Sequence, residues 1–314
     1  LGDPPDGTPR WPLYDLHVRP SVGGGLVTGV RDRSAAAAAG LVVGDVVVAV
    51  DDVPISRLAA DLGPKCLRRP DPEATLYAYN CAVAGRRARP RRLAVVSPGG
   101  SPRTVDLPLN TAPPEPDVSG RRIDGDLGLI RIASFANMAA IEQFDAALAD
   151  LRDCRGLILD VRGNGGGDTA VARPIMGRFI RQTAPYARMR RRNGAALGPA
   201  WTEMVEPRGP FACDAPLVVL CDDFSGSMAE GFPMGLRGLG RARIIGRPMM
   251  GLGAAVYSLR LDRTGIAAQY SGEPVYDVND RPRWRLRPDI ETAPGADILA
   301  AGVTELRRRI GRAG

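Results

Sequence analysis

Two apolar runs constrain the fold most: Gly156-Leu157-Ile158-Leu159-Asp160-Val161 and Pro216-Leu217-Val218-Val219-Leu220-Cys221. Both are too short for a core helix, rich in branched side chains and free of polar interruption until their ends. That is the pattern of a strand covered on both faces, as in a parallel sheet. A helical stretch is expected after each, from about Thr169 to Arg181 and from Met228 to about Leu239. Leu127 to Ile132 reads as a further strand, and Asn137 as the cap of a helix with Ile141, Phe144, Leu148 and Leu151 on one face. Arg243 to Gly246 is a fourth strand. Strand and helix in alternation predict an α/β core with parallel pairs over residues 121–314.

The 314 residues leave room for a second domain, since domains run to roughly 100–200 residues. Residues 12–110 read as a small, mainly-β unit. Its expected strands are Val27 to Val30, Val46 to Val50, Leu76 to Tyr79, Leu93 to Val96 and Thr104 to Leu109, with a short helical segment from Ser34 to Ala39. Ser97-Pro-Gly-Gly-Ser101 reads as a hairpin turn. Residues 111–120 are proline-rich and read as a linker. Residues 1–11 read as a loop; because the chain opens on Leu1 instead of Met, they are expected to be the remnant of a longer N-terminal segment.

The net charge of +7 comes almost wholly from arginine, Lys65 being the only lysine. The runs Arg188, Arg190 to Arg192 and Arg307 to Arg309 read as solvated faces. With aromatic residues at 5% there is no stacking platform, and no nucleic-acid partner is expected. No stretch approaches the ~20 apolar residues of a membrane span. The cysteines, Cys66, Cys81, Cys154, Cys213 and Cys221, form no CxxC pair and no metal-ligand spacing; no metal and no organic cofactor is expected. Cys154 and Cys221 read as buried thiols; a Cys66–Cys81 pairing stays open. The oligomeric state is not legible.

Three segments carry chemistry. Ala39-Gly40-Leu41-Val42-Val43-Gly44-Asp45, running into the strand at Val46, places a tight glycine turn beside a sheet. Asp160-Val161-Arg162-Gly163-Asn164-Gly165-Gly166-Gly167 ends a buried strand in a glycine-rich loop. It lacks the Gly-Lys-Ser/Thr ending of a phosphate loop. Its amides suit an oxyanion site, and a plain strand-to-helix turn stays open beside that. Asp222-Asp223-Phe224-Ser225-Gly226-Ser227-Met228-Ala229-Glu230 sets serines between a buried strand and a helix start, where a nucleophile and a simple cap are both possible. Both loops follow parallel strands of one core, and ligands sit at the carboxyl ends of such strands.

Taken together, the segments resemble the carboxyl-terminal processing and tricorn-like serine peptidases, which carry a PDZ-like domain. Leu159-Asp160-Val161-Arg162-Gly163-Asn164-Gly165-Gly166-Gly167 is similar to their glycine-rich loop, Ser227-Met228-Ala229-Glu230 to their nucleophile motif, Arg243 through Gly253 to the strand and turn that follow, and Arg287-Pro288-Asp289-Ile290 to their closing segment. The resemblance implies a crotonase-like, ββα-type catalytic core. It makes Ser227 the nucleophile, with an oxyanion hole from Met228 and either Gly165 or Gly166. Ser225 is the weaker nucleophile by its spacing to Glu230, which is either an orienting group or an ordinary first-turn carboxylate. The PDZ-like unit implies peptide binding at Gly24, Gly25 and Leu26, with an extended substrate end added to a sheet edge.

Two departures concern the base that a serine hydroxyl needs. One branch of the family places a lysine where this chain has Leu252, and the other a histidine where it has Pro5. The sole histidine, His17, stands near Asp15 and is the candidate base, an ordinary strand residue being the other reading. The resemblance thus implies a serine-type peptidase acting on peptide or protein ends, exported or periplasmic by family analogy. A catalytically impaired peptide-binding relative, or a repurposed hydrolase or cyclase acting on a small molecule or modified peptide, stays open beside it.

Overall fold

The computed structural model describes residues 5–109 and 115–313. The Leu1-Gly2-Asp3 opening and the 111–114 part of the expected linker lie outside them. The chain divides into two compact units, Gly2–Pro114 and Glu115–Gly314.

The first unit comprises β1 (Leu16–Ser21), β2 (Gly24–Val30), α1 (Ala35–Ala38), β3 (Val46–Val50), β4 (Val53–Pro54), α2 (Ile55–Leu62), α3 (Pro72–Ala84), β5 (Arg91–Val96) and β6 (Pro102–Leu107). Its antiparallel sheet runs in the order β1-β2-β3-β5-β6, with β4 on β3. Leu16, Val18, Val27, Val47, Leu93 and Leu107 fill the core under the helices. The β5–β6 hairpin closes at the expected turn, where the Ser97 N–H donates to the Ser101 carbonyl at 3.1 Å.

Residues Leu76 to Tyr79 are not a strand; they lie inside α3. Asp71 caps that helix by accepting from the Glu73 N–H, and Pro72 occupies its first turn, a start signal that outweighs the strand propensity of the two tyrosines. Residues 5–11 are tied down as well: the Arg10 guanidinium donates to the carbonyls of Ala84 at 2.9 Å and Arg89 at 2.7 Å. The outer edge of β1 is occupied by α3. Asn80, 2% exposed, accepts from the Val18 N–H and donates to the Val18 carbonyl, both at 2.9 Å. Further along that edge, Pro20 has no N–H to offer.

The second unit comprises β7 (Val118–Ile123), β8 (Leu127–Ile132), α4 (Ala139–Asp150), β9 (Gly156–Asp160), α5 (Thr169–Met176), β10 (Ala184–Asn193), β11 (Ala196–Val205), β12 (Leu217–Cys221), α6 (Met228–Gly238), β13 (Ala242–Gly246), β14 (Ala254–Arg260), β15 (Ala267–Tyr276), β16 (Ile290–Glu291) and α7 (Ile298–Ala313). Its main sheet has the order β16-β13-β12-β9-β8-β7, parallel from β16 to β8 with β7 antiparallel at the edge. Strand β7 begins at Val118, inside the stretch expected to be linker.

The unbroken apolar runs have the physical cause expected of them. In β9 and β12, Leu157, Leu159, Leu217 and Val219 pack on one face with Phe144, Leu148 and Phe232, while Ile158, Val218 and Leu220 pack on the other against Leu306 and Ile310 of α7. A second sheet, β11-β10-β15-β14, consists of two long hairpins that the sequence reading did not anticipate. The arginine run lies on β10, where Arg188 pairs with Asp280 and Arg191 with Glu273. All five cysteines are free; Cys66 is exposed, and Cys154 and Cys221 are buried as expected. No helix among the described residues is long and apolar enough to cross a membrane.

Candidate active site

Parallel pairing of β9 with β12 puts the loops after both strands at the same sheet end. Side chains stitch the two loops together. Asp222 Oδ1 accepts from the N–H groups of Gly163 at 2.9 Å and Phe224 at 3.0 Å. The Ser225 hydroxyl lies 2.9 Å from the Val161 carbonyl and 3.0 Å from Asp222 Oδ1, and accepts from the Asp222 N–H. Burial pushes the Asp222 carboxyl up against the opposing pull of these donors. Ser225 is fully buried and its hydroxyl is committed, which removes it as a nucleophile.

Asn164, a residue the sequence reading passed over, is the second stitch. Its carbonyl accepts from the Gly226 N–H at 2.9 Å; its side chain donates to the Ile132 carbonyl at 2.9 Å and accepts from the Gly166 N–H at 2.7 Å. The signal was available, since Asn164 is the one polar side chain among the glycines of that loop.

Ser227 sits where the two loops meet, with φ +56° and ψ −116°. A positive φ at a non-glycine residue costs of order 1–3 kcal/mol, and surrounding bonds must hold it. Glu230 supplies them: its Oε1 accepts from the Ser227 N–H at 2.9 Å and from the Leu252 N–H at 2.8 Å. Glu230 is 1% exposed, and burial pushes its carboxyl up to about 7 despite the nearby Arg283 guanidinium and the amide donors. Arg283, itself buried, donates from Nε to the Leu252 carbonyl at 2.9 Å and so fixes the same loop from the other side.

Gly166 has φ +108° and lies against the serine. A Cβ there would stand 2.7 Å from Ser227 Cβ, 2.8 Å from the Gly226 carbonyl oxygen and 2.9 Å from the Met228 nitrogen. Only glycine allows that approach. Gly165 and Gly166, the two expected candidates for an oxyanion donor, differ in their hydrogen bonding. The Gly166 N–H is spent on Asn164. No hydrogen bond engages the Gly165 or Met228 N–H among the described residues, and Gly165 is exposed.

Other expected site residues belong to the first unit. Gly24, Gly25 and Leu26 are on β2, an interior strand: all three pair with β1, and Gly25 and Leu26 also pair with β3. Their main chain is not an open peptide edge. A Cβ at Gly24 would lie 2.2 Å from the Val47 carbonyl oxygen, so this glycine serves close strand packing. His17 is on β1 of the first unit, its Nδ1 3.2 Å from Thr28 Oγ1. Lys65 Nζ donates to the Ala60 carbonyl in the same unit. Asp15, named with His17, instead pairs with the buried Arg91. Leu252 is 47% exposed beside the serine loop, its Cδ1 3.3 Å from the Cβ position of Gly226. Among the described residues no three His, Cys, Asp or Glu side chains are grouped to hold a metal ion.

A family model described as peptidase family S41 matches residues 126–292, more than half of the chain and the whole of this cluster. The chain belongs to peptidase family S41. A PDZ domain model matches residues 26–63 of the first unit of this S41 member. The carboxy-terminal processing protease CtpB of Bacillus subtilis (strain 168) is 33% identical over 95 residues, 29% of this chain and 19% of that protein. The chain therefore matches about a fifth of the length of that curated relative. Among solved structures, a putative peptidase from Parabacteroides merdae ATCC 43184 is 25% identical with a TM-score of 0.55, covering 60% of this chain and 64% of that one. The photosystem II D1 C-terminal processing protease, at 18% identity and a TM-score of 0.59 over 92% of this chain and 73% of its own, shares the fold.

Proposed function

We propose that this S41 chain is a serine-type peptidase of the tail-specific kind, acting on the extended end of a peptide or protein. The observation that carries the reading is the meeting of the glycine loop and the serine turn, with Ser227 strained at their junction and the Gly165 and Met228 amides of the two loops unspent. In the proposed reaction Ser227 Oγ bonds to the scissile carbonyl carbon. The carbonyl oxygen takes the displaced electron pair and accepts from the Gly165 and Met228 N–H groups. The serine proton passes to a base and then to the leaving amine, and water later releases the acyl group. His17, the chain's one imidazole, is the proposed base. Glu230 is proposed as a positioning residue; in support, its Oε1 accepts from the main-chain amides of Ser227 and Leu252.

The succession β7, β8, α4 is one ββα unit and supports a crotonase-like description of the core. An exported or periplasmic location is proposed on the strength of the carboxy-terminal processing relative. One observation favours a second reading. Leu252, at the place where part of the family has its lysine, cannot take a proton, which suits a peptide-binding relative without turnover.

A fluorophosphonate probe tests the proposal. Labelling of the wild type but not of Ser227→Ala is expected; equal labelling of both removes Ser227 from the reaction. Labelling lost in a folded His17→Ala protein supports the base assignment, and full labelling there excludes it. A folded wild type that takes no label supports the second reading.

A further inference from the structure

Sheet edges differ sharply in how they are guarded, and one is open. An unpaired strand edge is a template for another chain, and proteins normally block it with charge, proline, brevity or cover. On β1, Asn80 takes both main-chain groups of Val18, and Pro20 follows. On β7, Gln143 accepts from the Val118 N–H at 2.9 Å, and Arg121 and Arg122 stand in the strand. Pro199 lies within β11; Pro102, Arg103 and Asp106 lie within β6; and β16 has two residues. Strand β14 has no proline; Arg283 holds the carbonyl of its first residue, Ala254, and its pairing with β15 shifts register between Ala255 and Val256, which leaves Val256 to Leu259 without such a device. It reads Ala-Ala-Val-Tyr-Ser-Leu-Arg, carries a charge only at its last position, and pairs among the described strands with β15 alone.

The hairpin it forms is apolar where it meets solvent. Val256, Tyr257, Leu259, Leu261, Ile266 and Tyr270 are each between 37 and 59% exposed. Strand β15 pairs with β10 only at Val275 and Tyr276, so beyond them the hairpin is a two-stranded ribbon, which is marginal in water, and an apolar one gains most from a further strand. Its root fixes what that strand is. β14 starts two residues after Leu252, whose N–H shares Glu230 Oε1 with the N–H of Ser227. The Leu252 and Ala254 carbonyls are both held by Arg283. The open edge is therefore anchored to the serine turn through one carboxylate and one guanidinium. Its seven residues span about 20 Å at ~3.4 Å each.

We propose that the open edge of β14 is the substrate track, on which an extended, uncharged peptide segment with apolar side chains adds as a further strand and is led to Ser227. The identity of the occupant rests on the peptidase reading above. Strand addition draws affinity from main-chain hydrogen bonds and selectivity from alternate side chains. The expected preference is for short-range extended structure and apolar residues, with charge tolerated only beyond the strand.

The test uses the full chain as Ser227→Ala, so that no cleavage occurs, and a fluorescein-labelled decapeptide, Lys-Lys-Ala-Val-Ala-Leu-Ala-Val-Ala-Ala. Fluorescence anisotropy is measured for the peptide and for a set N-methylated at one residue at a time, with hydrogen exchange of the protein read in parallel. The expected result is a two-residue alternation, binding weakening about five- to tenfold at every second methylated position. Amide protection should grow over residues 254–260. Protection over β1 and α3 instead, no alternation, or no binding overturns the track. So does protection of 254–260 without peptide in a dimeric protein, which would make a second copy the occupant. None of these failures alters fluorophosphonate labelling of the wild type, so the peptidase reading stands or falls separately.

Discussion

Glu230 makes stability fall as pH rises, opposite to the usual behaviour of a paired carboxylate. Its carboxyl is buried and pushed up from 4.5 to about 7. Below pH ~4.5 the group is protonated in both the folded and unfolded chain. Between ~4.5 and ~7 the folded protein keeps the proton and the unfolded chain has released it, so stability declines across that window and levels off above it. At 1.36 kcal/mol per unit, the shift amounts to about 3 kcal/mol. The perturbation is Glu230→Gln, which cannot titrate. Urea unfolding at half-unit steps from pH 4 to 8.5, followed by Trp201 and Trp284 in a Trp11→Phe background, reports on the second unit. The wild-type minus Glu230→Gln difference is expected to drop by about 3 kcal/mol between pH 4.5 and 7.5. Any constant misfit of the glutamine cancels from that change. Parallel pH profiles for the two proteins, or a difference that rises with pH, would refute burial as the dominant influence on Glu230.

Three further outcomes follow from individual contacts. Leu252→Lys sets an amine beside the serine turn at an exposed position. It should raise the rate of fluorophosphonate labelling, general-base assistance being worth up to about 10²–10⁴; an unchanged rate in a folded variant contradicts the placement of Leu252. Ser225→Ala strips buried polar partners from the loop stitch. It should cost about 1–3 kcal/mol in urea unfolding while Ser227 still takes the probe in the folded protein; loss of labelling with full stability would return Ser225 to the chemistry. Asn80→Ala leaves the Val18 N–H and carbonyl without partners. It should destabilise the first unit by about 1–3 kcal/mol and speed hydrogen exchange at Val18, and unchanged exchange there would contradict the guarded edge.

How much of this was legible in the sequence depends on the range of the cause. The doubly covered strands β9 and β12 announced themselves because each residue faces apolar neighbours on one side or the other, so the pattern is local. The meeting of the Gly166 loop with Ser227 followed from parallel strand order plus motif resemblance. Helix α3 was missed because its start signal, Asp71-Pro72, lies several residues before the aromatic stretch that looked like a strand. Gly24, Gly25 and Leu26 looked like a peptide site because a glycine run is equally the mark of close strand packing, and only the pairing partners of β2 separate the two. The commitment of the Gly166 amide to Asn164, and the lifted carboxyl of Glu230, depend on contacts between segments far apart in the chain or on burial that no local pattern encodes. The β14–β15 hairpin escaped notice because its exposed apolar residues have no polar alternation to mark a strand.

A phosphonate adduct trapped on the protein, with its structure determined by crystallography, tests the central arrangement directly. The phosphoryl group should be bonded to Ser227 Oγ, with one phosphoryl oxygen within about 2.7–3.1 Å of both the Gly165 and Met228 nitrogens. An adduct oxygen turned away from those two nitrogens, or a phosphonate bonded to any other side chain, would contradict it.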